Sequence, residues 1–140
     1  MTQTEFFAWL GAPLVNFKWS WGATRPDGTV FLRVWQDQIR RHNAANFIRV
    51  TSNQRAEQHF KKHGRYKLGY LERLRHIERI RAGAPSYMIM CEVVNPDVLP
   101  RKIKAFNKDQ VFPGGGIVEL DGDWWIELRP PVPARDIRPR

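Results

Sequence analysis

Two aromatic segments flank Arg25-Pro26-Asp27-Gly28, and that turn constrains the fold more than any other feature of the chain. Pro presets one backbone angle and Gly supplies the one that side chains resist, so the flanking residues are predicted to run antiparallel. Before the turn, Phe17, Trp19, Trp21 and Ala23 alternate with Lys18, Ser20 and Gly22, the period of a strand. After it, Thr29 to Asp37 reads as a second strand, β-branched and aromatic. A loop of two residues (Asp27 and Gly28) or of four (Arg25 to Gly28) gives the same pairing parity. It sets Trp19, Trp21, Leu32 and Val34 on one face, and Lys18, Ser20, Gly22, Phe31, Arg33 and Trp35 on the other. The first face has the composition of a core. The second mixes rings with Arg, Lys and Ser, which suits a base stacked on Trp35 with Arg33, Ser20 and Asp37 at its edge. A small second core layer, with Arg33 reaching solvent along its aliphatic stem, fits the same pattern. A bulge in either strand exchanges the faces and makes Trp19 and Trp21 the stacking rings.

Around this hairpin the chain reads as alternating short elements. Glu5 to Leu10 is a short helix ended by Gly11-Ala12-Pro13, and Asn46 to Val50 is a third strand. Thr51 and Gln54 match a capping box for a helix that stops near Gly64. Gly69 to Ala82 is an amphipathic helix with Leu71, Leu74, Ile77 and Ile80 as its buried stripe. Ser86 to Val94 is apolar enough for a central strand, with Cys91 as a small buried hydrophobe. Lys102 to Phe106 is a short basic strand, Pro113 to Gly116 a flexible loop, and Asp121-Gly122 a type I′ hairpin turn. Residues 1–128 thus read as one domain, and residues 129–140 as a Pro/Arg-rich tail, extended or disordered. The class is α+β: a curved, barrel-like, mostly antiparallel sheet with two mid-chain helices and a short N-terminal one.

The 140 residues carry Lys+Arg 23 against Asp+Glu 14, a formal net charge of +9. Such an excess concerns partners rather than fold, and polyanions lead the candidates. No apolar run approaches the roughly 20 residues that span a bilayer, so no membrane partner is expected. The first ten residues carry Glu5 and no basic start, unlike a signal peptide, and Cys91 is the only cysteine. A reducing, cytoplasmic setting follows as the expectation. The densest positive region is Lys61, Lys62, His63, Arg65 and Lys67, continued by Arg73, Arg75, Arg79 and Arg81, with Tyr66 and Tyr70 inside it. Lys61, Lys62, Arg65, Arg73, Arg75 and Arg79 are the candidate phosphate contacts. Arg101, Lys102, Lys104 and Lys108 form a second cluster, a candidate wall of the same cleft.

Catalytic signatures are weak by comparison. Glu72 and His76 are spaced i,i+4 and can pair on a helix, as an acid–base couple needs. His59 and His63 have the spacing of two metal ligands, but no third ligand is identifiable. Glu119 lacks the Lys two residues on that metal-dependent nucleases use, and Gly114-Gly115-Gly116 lacks the Lys-Ser/Thr of a phosphate loop. No cofactor, metal or catalytic residue is therefore assigned.

The Trp-rich opening strand (Trp19, Trp21), the Thr29 to Asp37 strand, the basic mid-chain helices, the Ser86 to Val94 strand and the late Asp121-Gly122 hairpin together resemble the PUA-like superfamily. That superfamily includes the SRA, ASCH and EVE domains. The resemblance is architectural and implies a small curved β-barrel with flanking helices, a design in which several members read modified bases through aromatic cages. No motif matches residue by residue, so it transfers no site residue. The leading expectation is a non-catalytic nucleic-acid-binding module, for DNA ahead of RNA, reading a modified or flipped base. The alternatives are a small nucleic-acid-processing enzyme, nuclease or base hydrolase, using Glu72, His76 and Asp97, and a protein-interaction subunit whose Pro/Arg tail docks a partner.

Overall fold

In a computed structural model, which describes residues 1–139, the first hairpin has a loop of odd length. The elements run α1 (Gln3–Trp9), β1 (Gly22–Thr24), β2 (Val30–Trp35), β3 (Ile39–His42), β4 (Ala45–Arg49), α2 (Asn53–His63), α3 (Leu68–Arg81), β5 (Ser86–Val93), β6 (Ile103–Phe106), β7 (Gln110–Leu120), β8 (Asp123–Leu128) and β9 (Val132–Pro133). Thr24 faces Val30, and Arg25 N–H donates to Thr29 O at 2.9 Å, leaving Pro26, Asp27 and Gly28 as the loop. Gly28 takes φ +92°, the left-handed residue that closes a three-residue hairpin. The register is therefore one residue away from the expected one. Gly22 faces Leu32 and Ala23 faces Phe31, so Gly22 leaves the Phe31–Arg33–Trp35 face.

The strand expected from Phe17 begins only at Gly22. Upstream, Asn16 captures the backbone locally. Its side chain accepts from Lys18 N–H at 2.8 Å, its carbonyl accepts from Ser20 N–H at 2.9 Å, and Ser20 Oγ accepts from Asn16 N–H at 3.0 Å. These bonds offer the chain a turn in place of a sheet ladder. Trp19 and Trp21 consequently sit on an irregular segment ahead of the sheet.

The sheet is mixed. Its order is β1-β2-β5-β7-β8-β4-β3, with β6 beside β5 and β9 beside β7. Among the described residues only β2 and β5 pair in parallel, Val30 to Trp35 against Ser86 to Cys91, and the other pairings are antiparallel. The class is thus α+β with a curved sheet, but the sheet does not close into a barrel: β1 and β3 are its two ends. Curvature is concentrated in β7. Its first residues pair with β5 and β9, its last with β8, and a bulge separates Gly114 from Ile117. The Pro113 to Gly116 stretch, expected as a flexible loop, is this bend inside a strand. A Cβ at Gly114 would collide with Ser86 Oγ, so only glycine lets the two strands cross so closely.

The concave face holds Val30, Leu32, Val34, Ile48, Met88, Met90 and Ile126, closed over by Ile77 and Ile80 of α3. Each fully buried aliphatic side chain contributes about 1.5–3 kcal/mol. The opposite face of β2 and β5, with Phe31 and Ile89, is covered by Phe6 and Phe7 of α1 and by Leu10 at its C-cap. Thr2 and Glu5 cap that helix reciprocally. Ala134, Val132 and Ile137 pack onto the same layer, and Arg25 Nη1 donates to Ile137 O at 2.6 Å. Residues 129–139 thus hold the short strand β9 and a 3₁₀ turn at Ala134–Asp136, and they are docked on the domain through Val132, Ala134 and Ile137. Among the described residues no helix is long and apolar enough to cross a membrane.

Two further elements depart from expectation. Thr51 and Gln54 do not form the capping box; instead Asp123 Oδ1 accepts from Thr51 Oγ1 at 2.9 Å and from Asn53 N–H at 2.7 Å, capping α2 from a distant hairpin. In α3 the buried face is Gly69, Glu72, Arg73, His76, Ile77 and Ile80, while Leu71 and Leu74 are half-buried. The helix is amphipathic, but its inner stripe is rotated to include three ionisable groups.

Candidate nucleic-acid interface

Gly64, at φ +72°, ends α2 with its N–H on Phe60 O, and the chain turns through Arg65-Tyr66-Lys67 into α3. Facing this turn is the irregular Trp19–Trp21 segment. Between them lies an open hollow of about 580 Å³. Trp19, Trp21 and Tyr66 line it with half-buried rings, and Lys18, Arg65 and Lys67 stand exposed around it. Gly69 forms part of its floor. A Cβ there would lie 2.5 Å from the Trp19 carbonyl and collide with the Trp21 indole, so the missing side chain lets α3 lie against the two tryptophans.

The walls are braced by local bonds. Tyr66 Oη donates to Glu57 Oε1 at 2.7 Å, and its ring lies between Phe60 (4.7 Å) and Tyr70 (5.4 Å). His59, another wall residue, has Nδ1 at 2.9 Å from Arg65 O and its ring 4.4 Å from His63. Among the described residues no group of three His, Cys, Asp or Glu converges as a metal site.

Beneath the hollow α3 presents its ionisable stripe to the protein interior. Glu72 Oε2 accepts from Ser20 Oγ at 3.2 Å, and burial raises the Glu72 pKa. His76 is buried against the Gly22 strand, and burial, with Arg73, Arg79 and Arg75 nearby, holds its imidazole neutral at a pKa of about 4. Arg73 is 5% exposed and donates from Nη1 to Val50 O at 2.9 Å, and from Nη2 to Trp21 O at 2.9 Å and Arg33 O at 2.7 Å. Burial lowers its pKa to about 9, which leaves it cationic at pH 7. Of the expected phosphate contacts, Arg73 is thus an internal tie facing away from solvent, because its neighbours on the helix stripe, Ile77 and Ile80, pack into the sheet core. Lys61, Lys62, Arg65, Arg75 and Arg79 are exposed. Glu72, His76 and Asp97 do not come together: the first two are buried in α3, and Asp97 lies in the exposed loop before β6. Ser20 is likewise buried and bonded to Glu72 rather than facing a ligand.

Trp35 occupies a different corner. The Arg101 guanidinium lies 4.9 Å and that of Arg33 5.8 Å from its ring centre, and Arg101 Nη2 donates to both carboxylate oxygens of Asp37. Lys102 and Lys104 are exposed beside it on and before β6, apart from the residues lining the hollow. The second basic cluster therefore borders the Trp35 corner.

The six tryptophans separate cleanly on this criterion. Arg138 lies over Trp9, Arg101 and Arg33 over Trp35, Arg81 over Trp124 and Arg40 over Trp125. Among the described residues only Trp19 and Trp21 have no cation on the ring, and these two line the hollow. The sequence reading missed the parts played by His59, Lys67 and Gly69; the one local signal for this wall was the pair of tyrosines within the basic run. No protein-family model, curated protein or solved structure matches the chain.

Proposed function

We propose that this protein is a non-catalytic nucleic-acid-binding module, for DNA ahead of RNA, that stacks an unpaired or extruded base in the hollow of Trp19, Trp21 and Tyr66. One observation carries the reading: the two tryptophans without a guanidinium on the ring are those that open into a basic-rimmed hollow. Lys18, Arg65 and Lys67 at the rim, with Lys61 and Lys62 on the last turn of α2, are placed to meet the phosphates of a strand whose base enters it. Stacking contributes about 1–3 kcal/mol per base, and phosphate neutralisation adds a sequence-independent attraction. A modified base is the finer form of the same proposal, as is the PUA-like likeness, which the curved sheet with α3 across its concave face supports. The lone, buried Cys91 supports a reducing, cytoplasmic setting.

The test is titration of single-stranded and duplex oligonucleotides at low and high salt, read by tryptophan fluorescence. Binding should weaken steeply with salt and quench emission, and both signals should diminish in Trp21→Ala. Negligible binding of either form at about 50 mM salt, where phosphate contacts are strong, sinks the proposal.

A further inference from the structure

We propose that the ligand of the hollow is a single strand unpaired over at least three nucleotides, one base in the hollow and its two neighbours on Phe17 and Phe60. The inference rests on the function proposed above and narrows its substrate class. Among the described residues, Phe17 at 69% and Phe60 at 42% are the only exposed Phe, Tyr or Trp side chains. Exposed rings scattered singly over a surface need no explanation, but these two are not scattered. Lys18, whose Nζ lies 5.8 Å from the centre of the Phe17 ring, lines the hollow. So does Tyr66, whose ring centre is 4.7 Å from that of Phe60. Phe17 belongs to the segment of Trp19 and Trp21, and Phe60 to α2, so the two rings stand on the two sides of the hollow. Phe60 is the exposed end of a row whose next rings, Tyr66 and Tyr70, are half-buried and held by bonds to Glu57 and Asn53. Leu68, at 56%, is a third apolar side chain left open there.

Neither phenyl ring is spent on its neighbour. Lys18 covers at most one face of Phe17, and Tyr66 at most one face of Phe60, so each ring keeps a face for a planar partner. Each is also followed directly by lysine, in Phe17-Lys18 and in Phe60-Lys61-Lys62. Rings that alternate with exposed cations are what successive bases and the phosphates between them require, and every base has a face to stack. An apolar protein segment would also cover the phenyls, but it has no use for the exposed cations Lys18, Lys61, Lys62, Arg65 and Lys67 around them. The rings further decide between two forms of nucleic acid. When one base is flipped out of a duplex, its neighbours stay paired and stacked inside the helix and reach neither phenylalanine. Only an unpaired strand has splayed bases to offer on both sides of the one in the hollow.

The test holds charge constant and varies only the bases. Two deoxyribonucleotide strands of equal length are compared, one with a single central thymine and abasic residues elsewhere, the other with three consecutive central thymines. The affinity of the full chain for each is read by fluorescence anisotropy of a labelled strand at fixed salt. The three-thymine strand should bind tighter by about fivefold or more for each base restored. Phe17→Leu and Phe60→Leu keep apolar bulk at exposed positions and remove the flat ring. Each should abolish one base's share of that gain and leave the single-thymine strand bound as by the wild type. Ile39→Ala, at an exposed apolar position on β3, should change neither affinity. Equal affinities for the two strands, or a gain that survives both phenylalanine substitutions, overturn the inference while the stacking of one base stands. Binding of neither strand, nor of longer ones, removes the base-stacking function and this inference with it.

Discussion

Around Trp19 and Trp21 the indoles face an open hollow with cations at its rim; at Trp35 the cations lie on the ring itself, 4.9 and 5.8 Å from its centre. Both corners contain the same residue types, yet they offer a ligand different things. A ring whose face is bare can take a planar partner directly. A ring already covered by a guanidinium, an interaction of about 0.5–2 kcal/mol, is closed to such a partner on that face. Composition alone cannot tell these apart, because the distinction lies in which side chain arrives from elsewhere in the chain.

One residue ties the corners together. Arg73 donates to the carbonyl of Trp21 on one side and of Arg33 on the other, with Val50 as the third acceptor. Arg73→Met keeps the approximate volume and removes every donor, leaving the Val50 and Arg33 carbonyls without this partner while Trp21 O keeps the Arg33 N–H at 2.9 Å. The expected loss is about 3–5 kcal/mol, the range for breaking a buried charged network, read from urea denaturation. Both corners should loosen at once, so oligonucleotide binding should fall in whatever fraction remains folded. An unchanged unfolding midpoint would separate the corners and remove Arg73 as their link.

The next largest effect is pH-dependent and lies beneath the hollow. His76 is held neutral with a folded pKa of about 4 against 6.5 when free. The unfolded chain therefore takes up a proton between those values and the folded chain does not. Stability is full above about pH 6.5 and declines as pH falls toward 4, by about 3 kcal/mol in all. Glu72 acts in the opposite sense: its raised pKa stabilises the fold at low pH and loses that contribution as pH rises through the folded value. His76→Gln should flatten the decline between pH 6.5 and 4 while leaving the Glu72 part. A wild-type stability that is level over that interval contradicts the burial of a neutral imidazole.

These groups also mark where the sequence stopped being readable. The hairpin at Arg25 to Gly28 was legible because turn chemistry is local, but its register was not: one left-handed glycine makes the loop odd and moves every pairing by one. The helix over Leu68–Arg81 was legible from its spacing, but its inner face was not. Burying Arg73 depends on acceptors in three other segments and burying Glu72 on the Ser20 hydroxyl, which hydrophobic periodicity does not report. Capping of α2 by Asp123 and covering of Trp35 by Arg101 are contacts between residues far apart in the chain. Hairpin β3–β4 escaped notice because its turn, Asn43-Ala44, takes positive φ at both residues without a glycine. Trp19 and Trp21 were legible as rings that could exchange roles with Trp35. Their freedom from cations was not.

Ring-by-ring substitution sharpens the contrast most directly. Trp19→Ala and Trp21→Ala should each weaken oligonucleotide binding by about 1–3 kcal/mol and reduce the fluorescence quench on saturation. Trp35→Ala should leave the quench and the oligonucleotide affinity in place and act on fold stability instead, through the loss of the surface that holds Arg101 and Arg33. Equal effects of all three substitutions on oligonucleotide binding would erase the difference between a bare ring and a covered one.

Smallest of all are the effects of the exposed cations, and they are best read as slopes. Lys61 and Lys62 project from the last turn of α2 near the hollow, and Lys104 lies on β6 beside the Trp35 corner. Exposed lysines contribute little to fold stability, so Lys61→Gln, Lys62→Gln and Lys104→Gln should unfold like the wild type. For each lysine that contacts a backbone phosphate, the plot of log affinity against log salt should become shallower by about 0.7–0.9, the counterion released per contact. If a strand enters the hollow beside the end of α2, Lys61 and Lys62 lie along it and should change the slope, while Lys104 changes it only if the strand continues to Trp35. A change at Lys104 without one at Lys61 and Lys62 would place the strand on the covered ring rather than the bare ones, and invert the comparison.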